Sequence, residues 1–164
     1  GVPVEMKATS KTDRAGKRRG LCLLFAALIS LTGPALPSWA GQWLQNQEGG
    51  WLYQEDGVSL TGWQNIDGWW YYLDPETGLW QENPSITAQG ACCLLENRLK
   101  ELNLYQDEDR ETSCRLEEEK KNSYRVSVGY YEKPDVWRSL NFFEVDPRTG
   151  VAKSESGRCE VELL

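Results

Sequence analysis

The sequence predicts an α+β fold, in which a short solenoid of aromatic β-hairpins precedes one helix packed on a curled antiparallel sheet. Three observations predict it. Tryptophan and tyrosine recur at a hairpin-sized period between Trp43 and Trp80, a single amphipathic stripe follows, and alternating strand-like segments fill the remainder.

The repeats are read first. Trp43 to Trp63 is a step of 20 residues, while Trp51 to Trp70 and Tyr53 to Tyr72 are each 19. Each unit reads as strand, turn and strand, with Asn46 to Gly50 and Asn65 to Gly68 as the central turns. The Asp56-Gly57 and Asp67-Gly68 dipeptides mark turns because glycine takes a positive φ without a Cβ clash. Two units and the stub Gly78-Leu79-Trp80 are few for a solenoid, which needs about three to bury its faces, so the module is expected to lean on its neighbour or its ligand. Seven of the eight tryptophans lie in or beside this segment, more rings than the small core of ~40 residues can enclose. The surplus points to a surface that binds through aromatic faces.

Composition shifts at Asn83-Pro84-Ser85, which places a boundary between a repeat module at 41–83 and a second domain at 85–164. Ser85 is the expected N-cap of a helix whose apolar positions Ala88, Cys92, Leu95, Leu99 and Leu102 fall on one face. Strands are expected at about 112–118, 123–132, 137–146 and 158–163. In the second of these, Tyr124, Val126, Val128 and Tyr130 alternate with the residues between them, as one buried sheet face requires. Asp146 to Gly150 is a turn with Pro147 preset for an early position.

Residues 1–40 read as a secretory signal peptide. Lys7, Lys11, Arg14, Lys17, Arg18 and Arg19 precede an apolar run from Leu21 to Leu31, and Ser38-Trp39-Ala40 is a small-residue site with cleavage expected after Ala40. The run is too short for a spanning helix of ~20 residues. Without this leader the chain holds 12 basic and 23 acidic residues, a net charge of −11. Such a chain repels nucleic acid and anionic membranes and attracts cations. The expected product is a soluble protein outside the cell.

Four cysteines remain after cleavage: Cys92, Cys93, Cys114 and Cys159. In an exported chain they read as two disulfides, and three connectivities are possible. Because adjacent cysteines rarely bridge each other, Cys92 and Cys93 are expected to pair separately with Cys114 and Cys159. Free buried thiols are the alternative. A metal site is not expected, since the chain has no histidine and the adjacent pair lacks zinc-knuckle spacing.

From Thr61-Gly62-Trp63 through Gly68-Trp69-Trp70-Tyr71-Tyr72-Leu73-Asp74 the chain resembles the choline-binding, cell-wall-binding repeats of Gram-positive surface proteins. The first unit is degenerate, with Gln42 at the entry glycine and Trp51-Leu52-Tyr53-Gln54 in place of Trp-Tyr-Tyr-Leu. The resemblance implies an aromatic box for a trimethylammonium group, walled by Trp43, Trp51, Tyr53, Trp63, Trp70 and Tyr72. A quaternary ammonium donates no N–H hydrogen bond, so ring quadrupoles supply its selective attraction, about 0.5–2 kcal/mol per good contact. Implied with it are attachment to the cell wall and a polymer partner, either choline-substituted teichoic acid or a glycan. The other reading is that these rings only pack the hairpins, leaving a soluble interaction or inhibitor domain. Phe142 to Val151 resembles a strand–turn–strand element of small cystatin-like or PepSY-like exported domains, which implies a protein partner for the second part.

Catalysis is not expected. Without histidine there is no Ser-His-Asp or Cys-His arrangement, and nothing in Glu117-Glu118-Glu119 or Asp107-Glu108-Asp109 fixes carboxylates at a working separation or builds a calcium loop. No cofactor is implied.

Overall fold

In the first repeat β1 (Gln42–Gln45), β2 (Trp51–Glu55) and β3 (Val58–Ser59) form a meander; in the second, β4 (Gly62–Ile66), β5 (Trp69–Leu73) and β6 (Trp80–Gln81) form another. These assignments come from a computed structural model, which describes residues 41–164; the leader and its cleavage site lie outside the described residues. The Asp-Gly turns behave as expected: Asp56, Gly57, Asp67 and Gly68 all have positive φ, the conformation that matches hairpin twist.

A helix, α1 (Ala88–Glu101), follows. Its N-cap is Thr87, not Ser85; the Thr87 hydroxyl accepts the Gly90 N–H at 3.1 Å. Such a cap is worth about 1 kcal/mol. Five strands complete the chain: β7 (Ser113–Glu119), β8 (Tyr124–Lys133), β9 (Val136–Asp146), β10 (Val151–Ser154) and β11 (Glu160–Glu162). They form one antiparallel sheet in the order β11-β10-β9-β8-β7. Four strands were expected; β10 is the addition, formed where the chain leaves the Asp146–Gly150 turn and doubles back on β9.

The expected fold class is corrected by this architecture. The described residues hold eleven strands in three sheets and one helix, a mostly β fold. The aromatic segment is not a hairpin solenoid either, because its two units sit in different surroundings. Cross-strand pairing of Trp43 with Tyr53 and of Gln45 with Trp51 puts these residues on one face of the first hairpin. That face packs on Ile66, Tyr71 and Leu73 from the opposite face of the second. The equivalent aromatic face of the second hairpin, with Trp63, Trp70 and Tyr72, turns instead toward α1. A helix takes the place where a third hairpin would continue the stack.

α1 is therefore buried from two sides. Leu95 and Leu99 enter the core with Val126, Val128, Phe143 and Val145, all within 2 % exposure. Each such side chain contributes about 1.5–3 kcal/mol by leaving water. Trp63 packs on this same core, and a Cβ at Gly90 would stand 3.2 Å from its Cζ2, so the small residue admits the indole. The consequence is a buried band wider than the expected stripe. Gly90, Ala91, Cys93 and Leu94 are buried alongside Leu95 and Leu99, whereas Leu102 at the stripe's end is 43 % exposed.

Candidate aromatic binding site

The second hairpin meets α1 through a polar latch. Asn97 Nδ2 donates to the Trp70 carbonyl and Asn97 Oδ1 accepts the Trp70 N–H, both at 2.8 Å. The reason lies in the length of β6, which pairs only with Tyr72 and Leu73 and leaves Trp70 further along β5 without a strand neighbour on that side. The amide of Asn97 fills that place. Lys100 adds a second tie, donating to the Gly68 carbonyl at 2.9 Å with its ammonium 4.7 Å from the Trp69 ring centre.

Beside the latch opens a cleft of about 250 Å3. Trp63, Trp69, Trp70, Tyr72 and Trp80 line it from the repeat, and Leu94, Asn97 and Glu101 line it from the helix. Glu82, Gln81 and Asn83 also line the cleft. Trp63 and Tyr72 stand 5.2 Å apart with planes inclined at 46°. Arg98 is engaged with Glu101 at 2.6 Å, which places a charged pair on the helix side. Rings, carboxylates and amides at one cleft suit a ligand with a cationic or sugar-ring portion and polar substituents.

The six residues expected to form one box do not converge. Trp63, Trp70 and Tyr72 reach the cleft. Trp43 and Tyr53 lie in the core between the hairpins, with Trp43 4.9 Å from Tyr71 and 5.2 Å from Tyr53, both edge-on. Trp51 shares their face and is half-buried. Strand alternation explains the division: hairpins stacked front to back bury the first aromatic face and leave only the second beside a new neighbour. Sequence reasoning missed Trp69, Trp80 and Asn97 as cleft residues. Trp80 was visible as the stub of a third unit, but Asn97 carried no signal because its role depends on where β6 ends.

Among the described residues the four cysteines, Cys92, Cys93, Cys114 and Cys159, are free thiols, so the two expected disulfides are not formed. Burial pushes the Cys92 thiol up to about 11 and the Cys93 thiol to about 12, with the nearby Glu96 carboxylate adding to both. Cys114 is raised well above the ordinary thiol value, again by burial first. Thiols so shifted are protonated and poorly nucleophilic at neutral pH. Cys114 lies on β7 and Cys159 just before β11, at opposite edges of the five-stranded sheet. Between them lie four strand steps, about 19 Å.

Glu96 joins the helix, β7 and the repeat. It accepts the Cys114 N–H at 3.0 Å. Burial raises its pKa, while the hydrogen bond from the Cys114 amide pulls it back part of the way. The indole Nε1 is itself buried and meets no acceptor within hydrogen-bonding geometry. Among the described residues no cluster of histidine, cysteine or carboxylate side chains has the geometry to hold a metal ion, and no helix is long and apolar enough to cross a membrane.

Comparisons of the chain with protein-family models, with curated proteins and with solved structures return no match.

Proposed function

We propose that this is an exported, envelope-associated binding protein that holds a wall polymer, through a choline-type or sugar group, in the cleft between its second aromatic hairpin and α1. One observation carries the reading: five aromatic side chains from the 18 residues between Trp63 and Trp80 meet carboxylates and amides at a single open cleft. A trimethylammonium group gains about 0.5–2 kcal/mol from each well-placed ring. The net charge of −11 over residues 41–164 adds long-range attraction for the same cation. In a glycan, the rings stack on sugar faces while Gln81 and Asn83 meet hydroxyl groups.

The first hairpin has a different part in this reading. Trp43 and Tyr53 pack against the second hairpin and hold it, so they support the cleft from behind without touching ligand. This joins both functions foreseen for the rings, packing in one repeat and binding in the other.

The test is retention on a choline-derivatised matrix with elution by free choline, run beside binding to purified wall polymers and glucans. The full chain is retained by one of these, and Tyr72→Ala, with an unchanged circular dichroism spectrum, loses retention. Folded Tyr72→Ala protein held as tightly as the parent removes the cleft as the site. Failure of the parent to bind any of the three removes the function.

A further inference from the structure

Two strands outrun the rest of the large sheet. Pairing of β7 with β8 ends at Ser113 and Gly129, and pairing of β9 with β10 ends at Phe143 and Ser154. β8 and β9 stay paired with each other as far as Lys133 and Val136. Residues 130–140 thus form a two-stranded arm with a free edge on either side. On the β9 edge, Leu140 is an extra residue between Ser139 and Asn141, a bulge that breaks the line of the strand. The β8 edge differs. There the chain leading into β7 swings away and leaves a groove of about 610 Å3.

Tyr130 and Tyr131 form the arm side of this groove, and Asp109, Arg110, Glu111 and Ser113 form the other. Tyr131 is 57 % exposed and rests edge-on against Trp137 at 5.0 Å. Arg110 is already committed, with its guanidinium 4.7 Å from the Tyr130 ring and its Nε 3.7 Å from Asp107. Glu132, also at the groove, is held by Arg138 at 2.7 Å. Asp109 and Glu111 remain as carboxylates facing a strand edge flanked by two phenol rings.

We propose that this groove docks an extended, Lys- or Arg-rich segment of a partner protein, laid beside Tyr130 and Tyr131 where β7 would run if it continued. Strand addition supplies backbone hydrogen bonds, and alternate side chains supply the choice of partner. Long basic side chains fit because their stems cover the tyrosine rings while their charged ends reach the carboxylates. A second copy of this chain is the poorer occupant, because it brings the same carboxylates and a net charge of −11 over residues 41–164 against itself. The extra residue at Glu132, between Tyr131 and Lys133, ends the straight edge, so the added ladder is short and the contact salt-sensitive. This surface is separate from the aromatic cleft and stands whatever the cleft binds.

The experiment titrates the purified protein with a short alternating Lys–Val peptide, an alternating Glu–Val peptide, and the Lys–Val peptide methylated on alternate backbone nitrogens. The Lys–Val peptide binds and slows hydrogen exchange within Tyr130–Glu132, at the backbone amide that faces the open edge of β8. The other two bind at least about tenfold more weakly. The double variant Asp109→Lys, Glu111→Lys keeps its circular dichroism spectrum and loses the Lys–Val peptide. The proposal is overturned by an inert Lys–Val peptide, by equal binding of the methylated form, or by exchange protection confined to other residues. Peptide-free self-association that protects the same edge-facing amide also overturns it, in favour of a second copy.

Discussion

The side-chain amide of Asn97 is paired twice with the backbone of Trp70, donating to its carbonyl and accepting its N–H at 2.8 Å each. One helix residue thereby completes a strand edge that β6 is too short to reach. Replacing it exposes how much of the repeat–helix contact rests on that pairing. Asn97→Ala leaves a half-buried donor and acceptor unpaired and costs about 1–3 kcal/mol. Asn97→Asp keeps the acceptor but sets a carboxylate oxygen against the Trp70 carbonyl, so at neutral pH it should cost at least as much as Asn97→Ala. Chemical denaturation at neutral pH ranks the three proteins. Equal midpoints would mean that water replaces the amide without loss.

Trp43 and Tyr72 should separate stability from binding. Trp43 sits edge-on to Tyr53 and Tyr71 in the core between the hairpins. Trp43→Ala therefore lowers the unfolding free energy by about 3 kcal/mol and weakens ligand retention only as far as the fold loosens. Tyr72→Ala, at the cleft, does the reverse: a small change in stability and a large loss of retention. Thermal melts and matrix retention on the same preparations read both. A Trp43→Ala protein of parental stability that fails to bind would move the site to the first hairpin.

Glu96 sets a pH dependence whose sign is unusual for a carboxylate. Burial raises its pKa, so the folded state holds its proton more tightly than the unfolded chain does. Its contribution to stability is full below the ordinary carboxylate value and is lost as pH rises through the folded value. Glu96→Gln keeps an acceptor for the Cys114 N–H without the charge. The variant should gain on the parent as pH rises from the acid range toward neutrality, and converge with it at low pH. Melting temperatures taken across that range decide it; parallel curves would assign the shift to another group.

The thiols should be slow. Cys92, Cys93 and Cys114 are raised by burial, so iodoacetamide should modify them at least about tenfold more slowly in the native protein than after unfolding. Oxidation has a restricted outcome. Cys114 and Cys159 lie at opposite sheet edges, far beyond the ~7 Å between Cα atoms that a bridge can span. α1 packs most heavily on β7, the strand that carries Cys114, so a bridge formed on oxidation joins Cys92 or Cys93 to Cys114. Non-reducing peptide mapping checks this, and a Cys114–Cys159 peptide would contradict the sheet order.

Much was legible from residue order alone, because it rests on short-range chemistry. The Asp-Gly turns, the hairpin period, the start of α1 to within two residues and four of the five long-sheet strands follow from φ preferences, alternation and helical spacing. The mostly β balance and the fate of each aromatic face were not legible, because they depend on which surface meets which. Trp43 and Trp63 are equivalent within their hairpins, yet one is packed between hairpins and the other stands at the cleft. Only the helix seated on the second hairpin makes that difference. By itself the sequence determined the hairpins, the helix and the aromatic supply. Tertiary packing alone decided which rings stayed at an open cleft, since burial is a property of pairs of surfaces and no periodicity within one segment encodes its partner.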